Sequence, residues 1–433
     1  MLNKLKRFYD KSPSIFKKLY GYIPNEIRYG KVFRYWNKLI KKGVDIKRDP
    51  NDTVKYAVNN FTFYKNIYKN IDINNWNNIP LLDKKLIQNH LKEFEDIKLK
   101  KIFVTTGGVT GKPARFYQSN NVWYKEMAFL YAFFNKFGYK TPNIKASFRG
   151  GDFSKLSPNK FWLFNPHHYE INFSPFHLSE KTINKYVEKL NELQPEFFHG
   201  YPSSFLSLAK YMELSNLYLN YIPKSFFLIS EGYTKNEIEY LETFFKCKMR
   251  SFYGQTERVV FAIANDDLET YKADLNYGFF ELIDLSGNVI EENDVEGEIV
   301  ATSYDNTVMP LIRYKTGDFT SYCDFKNKTF KKISSKWGQN FLFGYNKEEI
   351  SLTALNIHSE ELDDLLMLQF IQNDYGKVDV LISFAIEKDT LFMDNIEDML
   401  TSRVGSNITF KLKQTNNFIK NLRGKSPLII SKL

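Results

Sequence analysis

Cysteine is scarce: Cys247 and Cys323 are the only two in 433 residues. They stand far apart, with no CxxC partner and no histidine at ligand spacing, so neither a zinc site nor a disulfide framework is indicated. A reducing cytoplasm is the expected compartment. Long apolar runs are lacking as well. No stretch of about 18 apolar residues occurs, which argues against a transmembrane helix, and the N-terminus has no signal-peptide core, so the protein is expected to stay where it is made. Internal repeats and low-complexity linkers are missing too. No convincing Ser/His/Asp or Cys/His set is found, and His167, His168, His177 and His358 read as structural or surface residues.

What is present describes a folded chain. Hydrophobic residues make up 43% and aromatics 17%, with charges of both signs interspersed, a composition that buries a core rather than staying disordered. The length calls for one large domain or a pair of subdomains plus a smaller one. A net charge of +10 suits nucleic acid, an anionic membrane surface or nucleotides, and by itself chooses none. The surplus of Lys, Asn, Ile, Phe and Tyr is read as genomic base bias. The basic, aromatic opening (Lys4, Arg7, Phe8, Phe16, Lys17, Lys18, Tyr20) reads as a surface helix with its rings facing a core, the alternative being a helix lying on a membrane surface.

After a helical and loop-like first hundred residues, apolar runs alternate with helical patterns, as in a parallel sheet. Strands are expected over Ile102–Thr106, Ala114–Gln118, Phe197–His199, Phe226–Ile229 and Met249–Phe252, and helices over Val122–Phe137, Ser203–Leu214 and Lys235–Phe245. Phe279–Ile283 and Glu298–Ser303 suggest a β-rich subdomain. Beyond Ser335, helices over Glu360–Leu368 and Ile396–Val404 alternate with strands over Val378–Phe384 and Thr409–Lys413. The fold class is thus α/β: a large N-terminal domain (1–335) with mixed or parallel sheets, and a small α+β C-terminal domain (336–433). Ligands of open sheets bind beyond the strands' carboxyl ends, where three polar, glycine-bearing turns fall.

The first turn is Thr105, Thr106, Gly107, Gly108, Val109, Thr110, Gly111, Lys112, Pro113, able to bring amides, hydroxyls and an ammonium onto phosphate oxygens. It is not a Walker A loop, because Thr106 stands where the first glycine belongs and Pro113 where the magnesium-binding hydroxyl belongs. A plain hairpin is the alternative. The second is Ser251, Phe252, Tyr253, Gly254, Gln255, Thr256, Glu257, where a ring can stack on a base and Glu257 can hold Mg²⁺. In the third, Arg313, Tyr314, Lys315, Thr316, Gly317, Asp318, one carboxylate is suited to a ribose diol.

Together and in this order the three resemble the adenylate-forming superfamily of acyl-CoA synthetases, adenylation domains and luciferases. The resemblance implies that Tyr253 stacks on adenine, Thr256 contacts the α-phosphate, Glu257 binds Mg²⁺ and Asp318 holds the ribose. Phe252, Gly254, Gln255 and Arg313 belong to the same nucleotide-binding motifs. The TGKP turn, the stretch His199, Gly200, Tyr201, Pro202, Ser203 and the stretch Ile229, Ser230, Glu231, Gly232 look most like the phenylacetate-CoA ligase branch and its CapK-type members of capsular polysaccharide biosynthesis. By that resemblance Ser230, Glu231 and Gly232 flank the adenine, and Tyr201 and Pro202 lie near the acyl pocket. Tyr201 and Pro202 read equally as a helix-starting turn with Pro at the first helical position. Asn421, Leu422, Arg423, Gly424, Lys425 resembles the superfamily's C-terminal lysine motif, with Lys425 entering the site during adenylation. Two departures stand out: Gln339 replaces the arginine of the hinge loop, and Gly108 replaces a hydroxyl of the phosphate loop.

The implied chemistry is attack of a carboxylate on the α-phosphorus of ATP, with pyrophosphate leaving, then acyl transfer to a thiol, amine or sugar acceptor. No nucleophilic side chain is required. ATP and Mg²⁺ are the expected cofactors, with coenzyme A for a thiol ligase. The partners are a small carboxylic or amino acid and the acceptor, without nucleic acid; relatives are often dimers. Three readings stay open: an acyl activator serving surface polysaccharide biosynthesis, an acid:CoA ligase, and a catalytically impaired nucleotide-binding component of an assembly complex.

Overall fold

Helix starts are written locally. Asp49 accepts a hydrogen bond from the Asn51 amide and Pro50 follows at the first helical position, which opens Pro50–Asn60. Thr234 and Glu237 form a reciprocal capping box that opens Lys235–Phe245. The computed structural model describes residues 22–95, 99–105, 114–150, 153, 160–166, 168–333, 341–351, 355, 362, 364–404, 407–421 and 424–433. The chain divides into two compact units, each made of two segments: Met1–Pro142 with Arg250–Ser334, and Asn143–Met249 with Ser335–Leu433.

The first unit packs short N-terminal helices and the long helix Asn120–Lys136 with antiparallel strands. Among the described residues these run in the order Gly278–Ile283, Glu296–Ser303, Tyr314–Asp324, Thr329–Lys331, Thr270–Ala273, Phe261–Ala264, Lys248–Gly254. Lys101–Thr105 and Arg115–Ser119 pair antiparallel as a separate hairpin, with Thr105 opposite Arg115. The β-rich character expected from Phe279 onward is present.

In the second unit Ser225–Leu228, Phe197–Gly200, Lys145–Phe148 and Glu170–Phe173 are parallel neighbours, followed by the antiparallel Trp162–Asn165. Phenylalanines stack across the ladders: Phe198 on Phe226 at 4.3 Å, Phe148 on Phe173 at 4.9 Å and Phe197 on Phe227 at 5.8 Å between ring centroids. Such cross-strand pairs are the unit of sheet stabilisation. The crossover helix Pro202–Leu214 is buried along most of its length, as its nearly all-round apolar sequence requires.

The segment after Ser335 builds its own sheet, ordered Thr409–Gln414, Lys377–Phe384, Leu365–Asp374, Ile429–Ser431 among the described residues. Helix Thr390–Val404 lays Ile396, Leu400 and Val404 onto Phe370, Val380, Ile382 and Phe410. Here one expectation is corrected: residues 365–368, expected at the end of a helix, begin the strand Leu365–Asp374. The run LLMLQFI satisfies either period, and pairing on both sides, antiparallel to Lys377–Phe384 and parallel to Ile429–Ser431, decides for the strand. Among the described residues no helix is long and apolar enough to cross a membrane.

Candidate active site

In the first unit the RYKTGD motif is a bulge. Val300 faces Lys315 while Glu298 faces Phe319, so Thr316, Gly317 and Asp318 occupy more chain than the partner strand offers. Gly317 supplies the left-handed backbone (φ 75°) the bulge needs, and its amide donates to Glu298 Oε1 at 2.9 Å. Thr316 Oγ1 accepts from the Asp318 amide at 3.1 Å and donates to the Ile299 carbonyl at 2.8 Å. A bulge re-aims a side chain out of the ladder, and the re-aimed side chain is Asp318. Its Oδ2 accepts from the Tyr253 hydroxyl at 2.8 Å. Gln255 Nε2 also donates to that hydroxyl. Burial, with the Asp318 carboxylate beside it, pushes the Tyr253 phenol well up, so it stays a neutral donor.

The strand Lys248–Gly254 therefore brings the second turn to the third. Phe252 is half-buried and packs on Phe133 and Phe261, at 5.2 and 5.3 Å between ring centroids. Gly254 closes the strand opposite Phe261. Gln118 Nε2 donates to the Thr256 carbonyl at 2.6 Å, and Arg258 Nη1 donates to Gln118 Oε1 at 2.8 Å, so the turn is held by a neighbouring hairpin strand. Glu257 Oε1 accepts from the Tyr314 hydroxyl at 3.2 Å. Burial raises the Glu257 carboxyl, with Asp318 adding to the rise. No salt bridge among the described residues neutralises it.

Arg313 takes a different place from its motif neighbours. Its side chain is 4% exposed and pairs with Glu281 at 2.6 Å, while Nη1 donates to the Ile79 carbonyl at 2.8 Å. Trp76 Nε1 donates to the other oxygen of Glu281 at 2.7 Å. That guanidinium braces the strand entering the bulge.

In the second unit three candidate segments meet. Ser230 follows the strand Ser225–Leu228 with a left-handed backbone (φ 63°), rare for serine, and its carbonyl accepts from Lys425 Nζ at 2.6 Å. Lys425 also lies 5.5 Å from the ring centroid of Tyr201. Tyr201 is buried, its hydroxyl accepts from the Gly150 amide at 3.1 Å, and Pro202 opens the helix behind it. Glu231 Oε2 accepts from the Ser203 amide at 3.1 Å, capping that helix from another strand end. Burial raises the Glu231 carboxyl, while Ser203 and the Lys425 ammonium oppose the rise. Gly232 is exposed beside it.

Thr105 ends its hairpin strand, but Thr106, Gly107, Gly108, Val109, Thr110, Gly111, Lys112 and Pro113 lie outside the described residues. So do Gln339, Leu422, Arg423, His167, His358 and the basic stretch from Lys4 to Tyr20. Sequence reading passed over Gln118, Arg258 and Gln369. An isolated glutamine or arginine carries no signal until a partner elsewhere in the chain is known.

No protein-family model matches the chain. Protein CapK of Staphylococcus aureus is 26% identical over 460 aligned residues, covering all of both chains. Among solved structures, 2-hydroxyisobutyryl-CoA ligase in its postadenylation state with R3-HIB-AMP matches with a TM-score of 0.66 at 12% identity over 88% of each chain. The AtGH3.15 acyl acid amido synthetase in complex with 2,4-DB matches with a TM-score of 0.56 at 12% identity, over 89% of this chain and 95% of that one. The chain therefore has the fold of the adenylate-forming ligases and is, over its whole length, a sequence relative of Protein CapK.

Proposed function

We propose that the protein uses ATP to activate a carboxylic or amino acid as its acyl-AMP and passes the acyl group to an acceptor in bacterial surface polysaccharide biosynthesis, in the cytoplasm. The observation that carries this reading is the bulge that turns Asp318 onto Tyr253, on the strand that runs into Glu257. In this reading the substrate carboxylate forms a bond to the α-phosphorus as the bond to pyrophosphate breaks. Asp318 accepts from the ribose hydroxyls, Tyr253 offers its ring to the base, Thr256 contacts the α-phosphate, and Ser230, Glu231 and Gly232 line the adenine. Thr105 and the loop through Lys112 serve the phosphates.

Glu257 fits a cation because its carboxylate is buried with no salt bridge among the described residues, the Lys84 charge acting on it only at a distance. Mg²⁺ held there would offset charge on the phosphates. Lys425 would do the same for the acid and α-phosphate, and the C-terminal segment from about Lys336 would change position between the two half-reactions.

ATP–pyrophosphate exchange across a panel of carboxylic and amino acids tests the reading. Exchange dependent on one acid supports it, whereas its absence across the panel leaves the nucleotide-binding, non-catalytic reading. Product mass with and without coenzyme A then assigns the acceptor. A thiol ligase is favoured by the likeness to 2-hydroxyisobutyryl-CoA ligase, and amide formation by the likeness to an acyl acid amido synthetase.

The raised Glu257 carboxyl gives a test independent of turnover. A carboxylate whose pKa is raised by folding costs stability above its unfolded value of about 4.3 and nothing once both states are protonated. Glu257→Gln keeps an acceptor for Tyr314 and removes the charge. Its melting temperature is expected to exceed wild type at pH 7, with the difference closing as the pH falls toward 4, while metal-dependent exchange is lost. A lower melting temperature at pH 7 would mean that the carboxylate has a stabilising partner and leaves no room for the cation.

A further inference from the structure

The described residues on both sides of the turn that carries Lys425 are tied together by hydrogen bonds. Gln369, fully buried in the strand Leu365–Asp374, donates from Nε2 to the carbonyls of Ile419 at 2.9 Å and Pro427 at 2.8 Å, and accepts from the Ile419 amide at 2.8 Å. One amide thus clamps both arms of the turn. Within it, Asn421 donates to the Lys425 carbonyl at 2.8 Å, the Gly424 amide donates to the Asn421 carbonyl at 2.8 Å, and the Lys425 amide donates to Asn421 Oδ1 at 3.1 Å. Gly424 has a left-handed backbone (φ 78°), and a Cβ there would stand 2.5 Å from Pro175 Cγ. Only glycine lets the turn approach Pro175 this closely. On the same turn Lys420 donates from Nζ to the Pro175 carbonyl, with the Glu231 carboxylate as its electrostatic partner.

We propose that Lys420 is the positioning residue that seats Lys425: bolted to the Pro175 carbonyl, it fixes the clamped turn so that the Lys425 ammonium rests on Ser230. The inference deepens the acid-activating reading and rests on it for its kinetic consequence, not for its geometry. Burial lowers Lys420 to about 8 against the pull of Glu231, so at neutral pH the bolt is a cation. A charged donor on a carbonyl is stronger than a neutral one and leaves Lys420 with something to lose when the turn lifts. Glu231 is shared: its carboxylate faces Lys420, Lys425 and the start of the helix at Ser203, and its Oε1 has no hydrogen-bond partner among the described residues. The side-chain hydrogen bond of Lys420 is to the Pro175 carbonyl, which has no part in the ATP site; Glu231, its electrostatic partner, lies in the segment assigned to adenine, so an unchanged ATP affinity separates an effect through Lys425 from one through Glu231.

The test compares wild type, Lys420→Met and Lys420→Arg as full chains. Amines are labelled with limiting acetic anhydride, and the rate at each lysine is read by peptide mass spectrometry. Lys425 is expected to react about tenfold faster in Lys420→Met, a local opening, with Lys420→Arg near wild type and the buried Lys145 still slow. Single-turnover acyl-AMP formation should fall by roughly 10²-fold in Lys420→Met, the scale of a misplaced reacting group, at unchanged ATP affinity. Equal labelling of Lys425 in wild type and Lys420→Met overturns the proposal. So does faster labelling of Lys145 as well, which marks general loosening, or a normal rate of acyl-AMP formation with Lys425 unseated. If wild type activates no acid, the functional reading fails while the labelling still decides the seating.

Discussion

Lys425→Ala is expected to leave ATP binding within about twofold of wild type while slowing acyl-AMP formation by about 10²–10³-fold, the loss typical when one preorganised charge-stabilising donor is removed. An ammonium that meets a carboxylate and a phosphate contributes most where their charges are brought together, in the transition state rather than the ground state. The structure seats that ammonium on the carbonyl of Ser230, in the segment proposed to line the adenine, and over the Tyr201 ring. Transfer from supplied acyl-AMP to the acceptor should survive, because that half-reaction does not call on the lysine. Single-turnover measurements of each step on one purified variant check this. Equal loss in both steps with normal circular dichroism makes Lys425 a static contact, and wild-type rates in both make it a surface turn.

The largest effect on folding is expected at Arg313. Arg313→Ala strips the cationic partner from Glu281, itself 3% exposed, leaving it the neutral Trp76 donor, and leaves the Ile79 carbonyl without the Arg313 donor. Breaking a buried ion pair from one side typically costs about 3–5 kcal/mol, since the remaining charge is stranded away from water. Urea unfolding should show the midpoint falling accordingly, with nucleotide use lost only as the folded fraction is lost. A variant of wild-type stability with weakened ATP affinity would return Arg313 to the nucleotide site.

Arg313 and Asp318 show what was legible and what was not. Both stand in one six-residue motif, and the motif located the strand and the turn. Which of the two charges faces inward depends on Glu281 and Trp76, far away in sequence, and on a bulge set by the partner strand. Most strands and helices were readable to within a few residues because local patterns and caps agree with the fold, as in Lys235–Phe245, whose bounds match the expected ones. Leu365–Asp374 was misread at its start because its apolar run is ambiguous and its neighbours are far away in sequence. The strands Lys145–Phe148, Trp162–Asn165 and Glu170–Phe173 are four residues each, too short for a period to show although proline and glycine turns flank them. In the candidate site, the chemical types were legible and the supports were not: Gln118 beneath Thr256 and Gln369 inside the lysine turn are amides whose partners only folding reveals.

The interleaving of the two units bears on how the chain is made. Each unit draws on two segments, and the second begins before the first is finished. A ribosome that has released Met249 has supplied part of both units and all of neither. The first unit waits for the strands Gly278–Ile283 through Thr329–Lys331, and the strand Leu365–Asp374 waits for its parallel neighbour Ile429–Ser431. Domains usually fold in turn as they emerge. Here the order of synthesis is not the order of completion: the stacked phenylalanine strands and their helices emerge together within Asn143–Met249, while the edges of the other sheets stay unpaired until later strands arrive. Long-range pairing of this kind is slow, and a chain still waiting for its last strands carries the open edges on which aggregation starts.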